Sequence, residues 1–172
     1  MTRERRSTRC SRSRDSGVKL DSVLCGVAGE YFVAAELTRR GYIASITLRN
    51  TRGVDILASS KDATRSVAIQ VKTNQLGVPE WILNEKAEDI PDGKDIAENL
   101  FFVFVNLPPD GAAPTYHVIS RGQLAQYVRE RHQRWLATPG RGGRMHSTKN
   151  PIRKFADPDG EYKDRWSALG LD

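Results

Sequence analysis

Cysteine is almost missing from this chain: two in 172 residues. Cys10 sits in a polar tail and Cys25 in an apolar helical pattern, so no disulfide framework can be built. A reducing, cytoplasmic setting is therefore the expectation. Long apolar runs are missing too. The longest uncharged stretch, Asn99 to Pro109, falls far short of the ~20 residues a membrane-spanning helix needs, which excludes a helical membrane protein. The Arg-rich start has no apolar segment behind it and does not read as a secretory signal. Histidine is scarce, and His117, His132 and His146 show no metal-ligand spacing. No internal repeat is present.

Positive charge is present, but in only two places. The formal net charge is +6. Residues 1–15 carry six arginines against Glu4 and Asp15, and residues 129–154 carry eight basic residues against Glu130. The body between them is slightly acidic. Localised basic charge is the footprint of a polyanion partner, because phosphates attract lysine and arginine without needing a shaped site. Residues 1–20 have almost no apolar side chains, and that composition predicts a disordered basic arm.

Structure is expected to begin at Asp21 or Ser22, both good N-cap types, with a helix running to Gly41. Leu24, Val27, Ala28, Tyr31, Phe32 and Ala35 share one face of it and are the expected core stripe. Three strand-like runs follow: Tyr42–Leu48, Gly53–Ala58 and Ser66–Thr73. Trp81-Ile82-Leu83 reads as a short edge strand before an acidic, partly helical connection. Leu100–Leu107 is a continuous apolar run of the kind buried on both faces of a sheet. A strand at Tyr116–Ile119 and a helix at Arg121–Leu136 complete the pattern, the helix with Leu124, Tyr127, Val128 and Trp135 in one stripe. Residues 138–160, rich in Gly, Pro and Arg, read as a loop, and Glu161–Leu169 as a short final helix. The order defines a single α/β domain on a mixed central sheet flanked by helices. Its expected parts are the arm (1–20), the domain proper (21–137) and a basic extension (138–172).

Polar residues that interrupt apolar elements carry the chemistry. In the third strand Val67, Ile69, Val71 and Thr73 point one way, and Ala68, Gln70 and Lys72 the other. A lysine and a glutamine on one face of a central strand cost desolvation unless they have partners or a task. Asp55 interrupts the second strand in the same manner. Glu30 has Gly26, Val27, Val33 and Ala34 one turn away, none able to pair with a carboxylate, whereas Glu36 has Arg39 and Arg40 at ordinary ion-pair spacing. A solvated sheet face explains each interruption taken singly. Taken together, two carboxylates, an amide oxygen and a lysine form a set of the kind that holds Mg²⁺ or Mn²⁺ and steadies charge on a phosphoryl group.

Glu30 in a first helix, Gly-x-Asp at Gly53–Asp55 and Gln-x-Lys at Gln70–Lys72 resemble the PD-(D/E)XK nuclease superfamily, the restriction-endonuclease-like fold. The stretch GVAGEYFVAAELTRRGYIAS…GVDILAS…VAIQVKTNQ is similar to archaeal Holliday-junction resolvases, and closer still to small stand-alone bacterial proteins of the PD-(D/E)XK endonuclease type. The resemblance covers about residues 22–107. It implies an αβββαβ core, Asp55 and Gln70 as metal ligands, Lys72 as the catalytic lysine, and an accessory metal-binding role for Glu30. It also implies Mg²⁺ or Mn²⁺ as cofactor and cleavage of nucleic acid, DNA foremost. The junction resolvases act as dimers, which makes a homodimer a further expectation. Two positions depart from the pattern. Val54 replaces the proline, and Gln70 replaces the acid of Glu-x-Lys, as in methyl-directed restriction enzymes.

A nucleic-acid-binding module that keeps the fold without catalysis is the alternative reading, and a protein-interaction subunit with basic tails is a third. Arg141 and Arg144 in the Pro139–Arg144 segment, with Lys149, Arg153 and Lys154, are the expected nucleic-acid contacts. Cys25 is expected to be a small core side chain rather than a nucleophile, and His117 a satisfied structural histidine.

Overall fold

A computed structural model describes residues 19–48, 53–89, 99–109 and 111–172. The expected basic arm lies almost wholly outside them.

Helix α1 (Ser22–Arg39) opens on Asp21, whose carboxylate accepts the backbone N–H groups of Val23 and Leu24, satisfying donors that the first turn cannot. It ends at Gly41, whose φ of +90° is the left-handed conformation glycine adopts without strain. Strands β1 (Ile43–Ile46), β2 (Ile56–Ser59), β3 (Ser66–Asn74), β5 (Leu100–Asn106) and β6 (Thr115–Ser120) form a sheet in the order β1-β2-β3-β5-β6. Only the β3–β5 pair is parallel, so the sheet is mixed, as expected.

Parallel neighbours need a crossover, and the crossover here holds β4 (Glu80–Asn84) and a 3-10 turn at Glu85–Glu88. β4 does not join the main sheet. It pairs with β7 (Ile152–Ala156) in a separate two-stranded ribbon. Residues 138–160 are therefore not all loop. β7 escaped the hydrophobic pattern because its Arg153 is buried and its Ile152 exposed, inverting the alternation expected of a strand. Helix α2 (Arg121–Ala137) begins at Ser120, whose side chain accepts from Gln123 N. The expected final helix shrinks to a 3-10 turn at Trp166–Leu169.

The sheet separates two cores. On one face Ile69 and Val71 of β3 and Val103 and Val105 of β5 pack with Val33 and Leu37 of α1 and with Trp166, Leu169 and Leu171 from the chain's end. On the other, Phe102 and Phe104 pack with Leu124 and Val128 of α2 and with Trp81, Leu83 and Phe155 of the ribbon. β5 is buried on both faces, as its continuous apolar run requires.

The inward face of α1 differs from the expected stripe. Cys25, Gly29, Val33 and Leu37 are buried, while Leu24 is 54% and Tyr31 65% exposed. The helix is apolar nearly all round, so periodicity offers two candidate faces. Side-chain size decides between them. An ideal Cβ on Gly29 would stand 1.8 Å from the Thr73 hydroxyl of β3, so this face packs closer than any larger residue permits.

His117 and Cys25 take the structural roles expected of them. His117 Nδ1 lies 2.6 Å from Asp157 Oδ2 in the interior, and Asp157 also accepts from Glu161 N and Tyr162 N. Burial pushes the Cys25 thiol above its ordinary pKa, away from the thiolate that nucleophilic chemistry needs. Removing the Asp157 carboxylate would strand two backbone donors and a ring nitrogen. Asp157→Ala is expected to cost about 3 kcal/mol, measurable by urea denaturation.

Candidate metal and phosphodiester site

The site is built on β3. Period-two alternation sends Val67, Ile69 and Val71 into the first core and turns Gln70 and Lys72 to the opposite face, as expected. There they line a cleft of about 880 Å³ between the main sheet and the β4–β7 ribbon. Phe102 of β5 lines the cleft too, beside Asn84 and Lys86 of the crossover and Arg121 of α2.

Asp55 lies one residue before β2, outside the strand in which it was expected. Ile56 is paired with Ile69, and continuing that register by one residue sets Asp55 opposite Gln70. Its backbone N–H donates to Ile69 O at 2.9 Å, and its carbonyl accepts from Thr47 N at 2.9 Å. The Thr47 hydroxyl holds Val54 O at 2.7 Å. Clamped in this way, Asp55 directs Oδ2 to the Val71 N–H at 2.7 Å, between Gln70 and Lys72 in the chain. One carboxylate oxygen thus fastens the residue to β3, and Oδ1 takes no hydrogen bond from a described residue.

Glu30 arrives from the other layer. It is half-buried on α1, next to the Gly29 that rests on Thr73, and this contact carries it to the end of β3 where Lys72 lies. Asp55 is thus tied to β3 beside Gln70 and Lys72, whereas Glu30 belongs to α1, the helix packed on the other face of the sheet. Among the described residues no three His, Cys, Asp or Glu side chains form a metal-holding group, and the candidate donors are two carboxylates and an amide. All are hard oxygen donors, which suit Mg²⁺ or Mn²⁺ better than a softer metal. Lys72 makes no ion pair with any described residue.

Arg121 was not singled out from the sequence. It is 7% exposed, and its guanidinium donates to the carbonyls of Lys86, Ala87 and Asp89 and lies 5.7 Å from the centre of the Phe102 ring. Burial lowers its pKa from the ordinary arginine value. Carbonyl dipoles, rather than a carboxylate, hold this cation in place. The only signal in the sequence was a cation in the first turn of a helix, where the dipole disfavours it.

The five expected nucleic-acid contacts divide. Arg141, Arg144 and Lys149 are exposed. Arg153 instead serves the fold: it is 7% exposed and paired with Glu88. Lys154 and Arg131 both pair with Glu80, at 2.8 and 3.0 Å. The Lys154 ammonium, hydrogen-bonded to Glu80, holds that carboxyl below its ordinary pKa. Its stabilising contribution is complete above the ordinary glutamate value and is lost as pH falls through the lowered one. The Arg141–Arg144 segment is a closed turn, with Gly140 N donating to Arg144 O at 2.8 Å and Gly143 N to Gly140 O at 3.0 Å. His146 anchors it by stacking on Trp135 at 3.9 Å. Trp135, expected in the core stripe, is half-buried and serves that stack instead. The segment then runs through Pro151 and Ile152, which line the cleft.

The fold is restriction-endonuclease-like. The chain is similar in structure to a bacterial homing endonuclease, I-Ssp6803I, with a TM-score of 0.50 and 9% identity over 87% of this chain and 92% of that one. Hjc of Archaeoglobus fulgidus, a Holliday junction resolvase from an archaeal hyperthermophile, superposes with a TM-score of 0.40 and 15% identity over 77% of this chain and 84% of that one, too loosely to bear on the site. No protein-family model matches the sequence, and no curated protein matches it significantly. None of the helices among the described residues is long and apolar enough to cross a membrane.

Proposed function

We propose that the protein is a metal-dependent nuclease that hydrolyses phosphodiester bonds, with DNA as its substrate. The observation that carries this reading is Asp55 fastened by the Val71 N–H between Gln70 and Lys72, the two residues through which β3 lines the cleft, with Gly53 and Val54 just before Asp55 lining it too. Asp55, Gln70 and Glu30 would hold Mg²⁺ or Mn²⁺, which when bound supplies Lewis acidity and lowers the pKa of water. Lys72 would bring an ammonium to the phosphoryl oxygens, where a cation aimed at the growing negative charge lowers the barrier. Lys86 and Arg121 add positive potential that draws the strand in. Asp55 is kept in place by backbone contacts on both sides, so little reorganisation accompanies the reaction.

Incubation of purified protein with supercoiled plasmid, duplex, single-stranded and branched oligonucleotides tests the reading. Cleavage with Mg²⁺ or Mn²⁺ and none with EDTA is expected. No metal-dependent cleavage of any of these substrates would overturn it. One observation favours the alternative, a binding module without catalysis: the amide at position 70, which gives the metal less charge than a carboxylate would.

The closed Arg141–Arg144 turn and Lys149 are the proposed backbone contacts, supported by their exposure and by the path of the chain to the cleft. Replacing all three by glutamine should weaken binding about equally for all sequences. It should also reduce the slope of log affinity against log salt by about one for each phosphate no longer neutralised. An unchanged slope by fluorescence anisotropy would assign the segment to folding or solubility. A cytoplasmic setting belongs to the same proposal, supported by the free, buried Cys25. So does a homodimer, for which the outward Leu24 and Tyr31 stripe of α1 offers apolar surface.

A further inference from the structure

The cleft is larger and more apolar than a phosphodiester requires. Phosphate recognition needs cations and N–H donors, yet the walls beside Gln70 and Lys72 are mostly hydrocarbon, and the volume of about 880 Å³ lies in the roughly 300–1,000 Å³ range of sites that enclose a small ligand. A paired duplex offers its backbone and the edges of its bases, but its base faces stay stacked and cannot enter an apolar cleft.

Two further features stand at the rim. Ile82 and Ile152 are 67% and 48% exposed and belong to the paired strands of the ribbon. The register sets Asn84 opposite Ile152 and Ile82 opposite Lys154, so the four residues share one face of the ribbon. Exposed aliphatic side chains beside a nucleic-acid path act as wedges that part stacked bases. Asn84 is the N-cap residue of the 3-10 turn, yet its side chain makes no capping hydrogen bond. Its amide, like that of Asn99 across the cleft, offers both a donor and an acceptor, the complement of a base edge. Lys86 is exposed and offers an ammonium to a nucleotide's phosphate, and the buried Arg121 behind it adds positive potential, with no carboxylate among the described lining residues to oppose it.

We infer that the cleft receives one unpaired nucleobase next to the phosphodiester held at Lys72. The preferred substrates are then strands with an unpaired nucleotide, such as a bulge, a flap or a single-stranded end, rather than unbroken duplex. The inference deepens the nuclease reading and rests on it only for the bond that is cut. Its binding arm needs no cleavage.

The test measures affinity of the full chain in EDTA by anisotropy, for one labelled duplex and for the same duplex carrying a single-nucleotide bulge. The bulged base is 2-aminopurine, whose fluorescence reports unstacking. Binding to the bulged duplex is expected to be about tenfold tighter, with a change in 2-aminopurine emission. Ile82→Ser with Ile152→Ser, and separately Asn84→Ala, should each erase most of that preference while leaving affinity for plain duplex unchanged. All three residues are exposed, so the variants should fold, as circular dichroism checks. Asn84→Ala carries the test if the double variant does not. Equal affinity of the unaltered protein for both duplexes, or preference surviving in the folded variants, would overturn the inference, and so would absence of any DNA binding. Cleavage of plain duplex without such preference would leave the nuclease reading standing alone. Preference without cleavage would do the opposite.

Discussion

Asp55→Asn is expected to remove metal-dependent cleavage by more than about a hundredfold, the scale reached by loss even of a supporting group at a metal site. Nucleic-acid binding should persist or tighten, because the change deletes a negative charge facing phosphates. Asparagine suits the test because its amide oxygen can still accept the Val71 N–H that Asp55 Oδ2 accepts at 2.7 Å. The tie to β3 then survives and the melting temperature should scarcely move. Asp55→Ala would sever that tie and confound chemistry with stability. Lys72→Ala should lower turnover by about 10²–10³-fold with metal affinity unchanged, since its proposed role lies in the transition state. Gln70→Glu separates the two readings of the site. It supplies a second charge next to Asp55, so metal affinity by calorimetry should rise, and a weak or inactive protein should gain cleavage. If all three changes were silent in cleavage and in metal titration, these residues would belong to a solvated sheet face, and the site assignment would fall.

Much of this was legible in the sequence because it depended on period-two alternation. Val67 to Thr73 declared which side chains enter the core and which do not, and that alone put Gln70 and Lys72 on one face. The unbroken apolar run at Leu100–Leu107 declared a strand covered on both sides. What failed to show depended on contacts distant in sequence. α1 has apolar residues on both faces, and only the close approach of Thr73 to Gly29 selects between them. β7 pairs with β4 some 70 residues earlier and buries Arg153 against Glu88, an arrangement no local pattern encodes. Arg121 was not singled out because its partners are backbone carbonyls of residues 86–89, which have no sequence signature. The cleft is the product of these same distant contacts. Its two catalytic candidates could be read in advance, but the walls that suggest an unpaired base could not.

The Gly29–Thr73 contact should be a sensitive point in the fold. A Cβ at residue 29 would lie 1.8 Å from Thr73 Oγ1, 3.0 Å from its Cβ and 3.1 Å from its Cγ2. Rotating the threonine cannot relieve the overlap, because the methyl group and Cβ are also close. α1 must then lift from β3, opening the first core around Val33 and Leu37. Gly29→Ala is expected to cost about 1–3 kcal/mol, the usual scale of overpacking, even though alanine favours a helix interior by up to about 1 kcal/mol over glycine. Thr73→Ala should be far milder. The Thr73 hydroxyl is buried without a hydrogen-bond partner among the described residues, so removing it leaves no donor stranded. In combination, the Thr73→Ala change removes Oγ1 and Cγ2, leaving only the Cβ at 3.0 Å, which a small backbone shift can relieve, so the double variant should recover part of the loss. Urea denaturation of the four proteins gives the coupling directly. Glu30 follows Gly29, so the contact also seats the backbone of Glu30 on the strand that carries Lys72. Gly29→Ala alone should therefore lower cleavage by more than its loss of folded protein explains, and Thr73→Ala should restore part of both together. Independent losses, with no recovery in the double variant, would show that α1 is seated by other contacts and that Glu30 does not depend on this one.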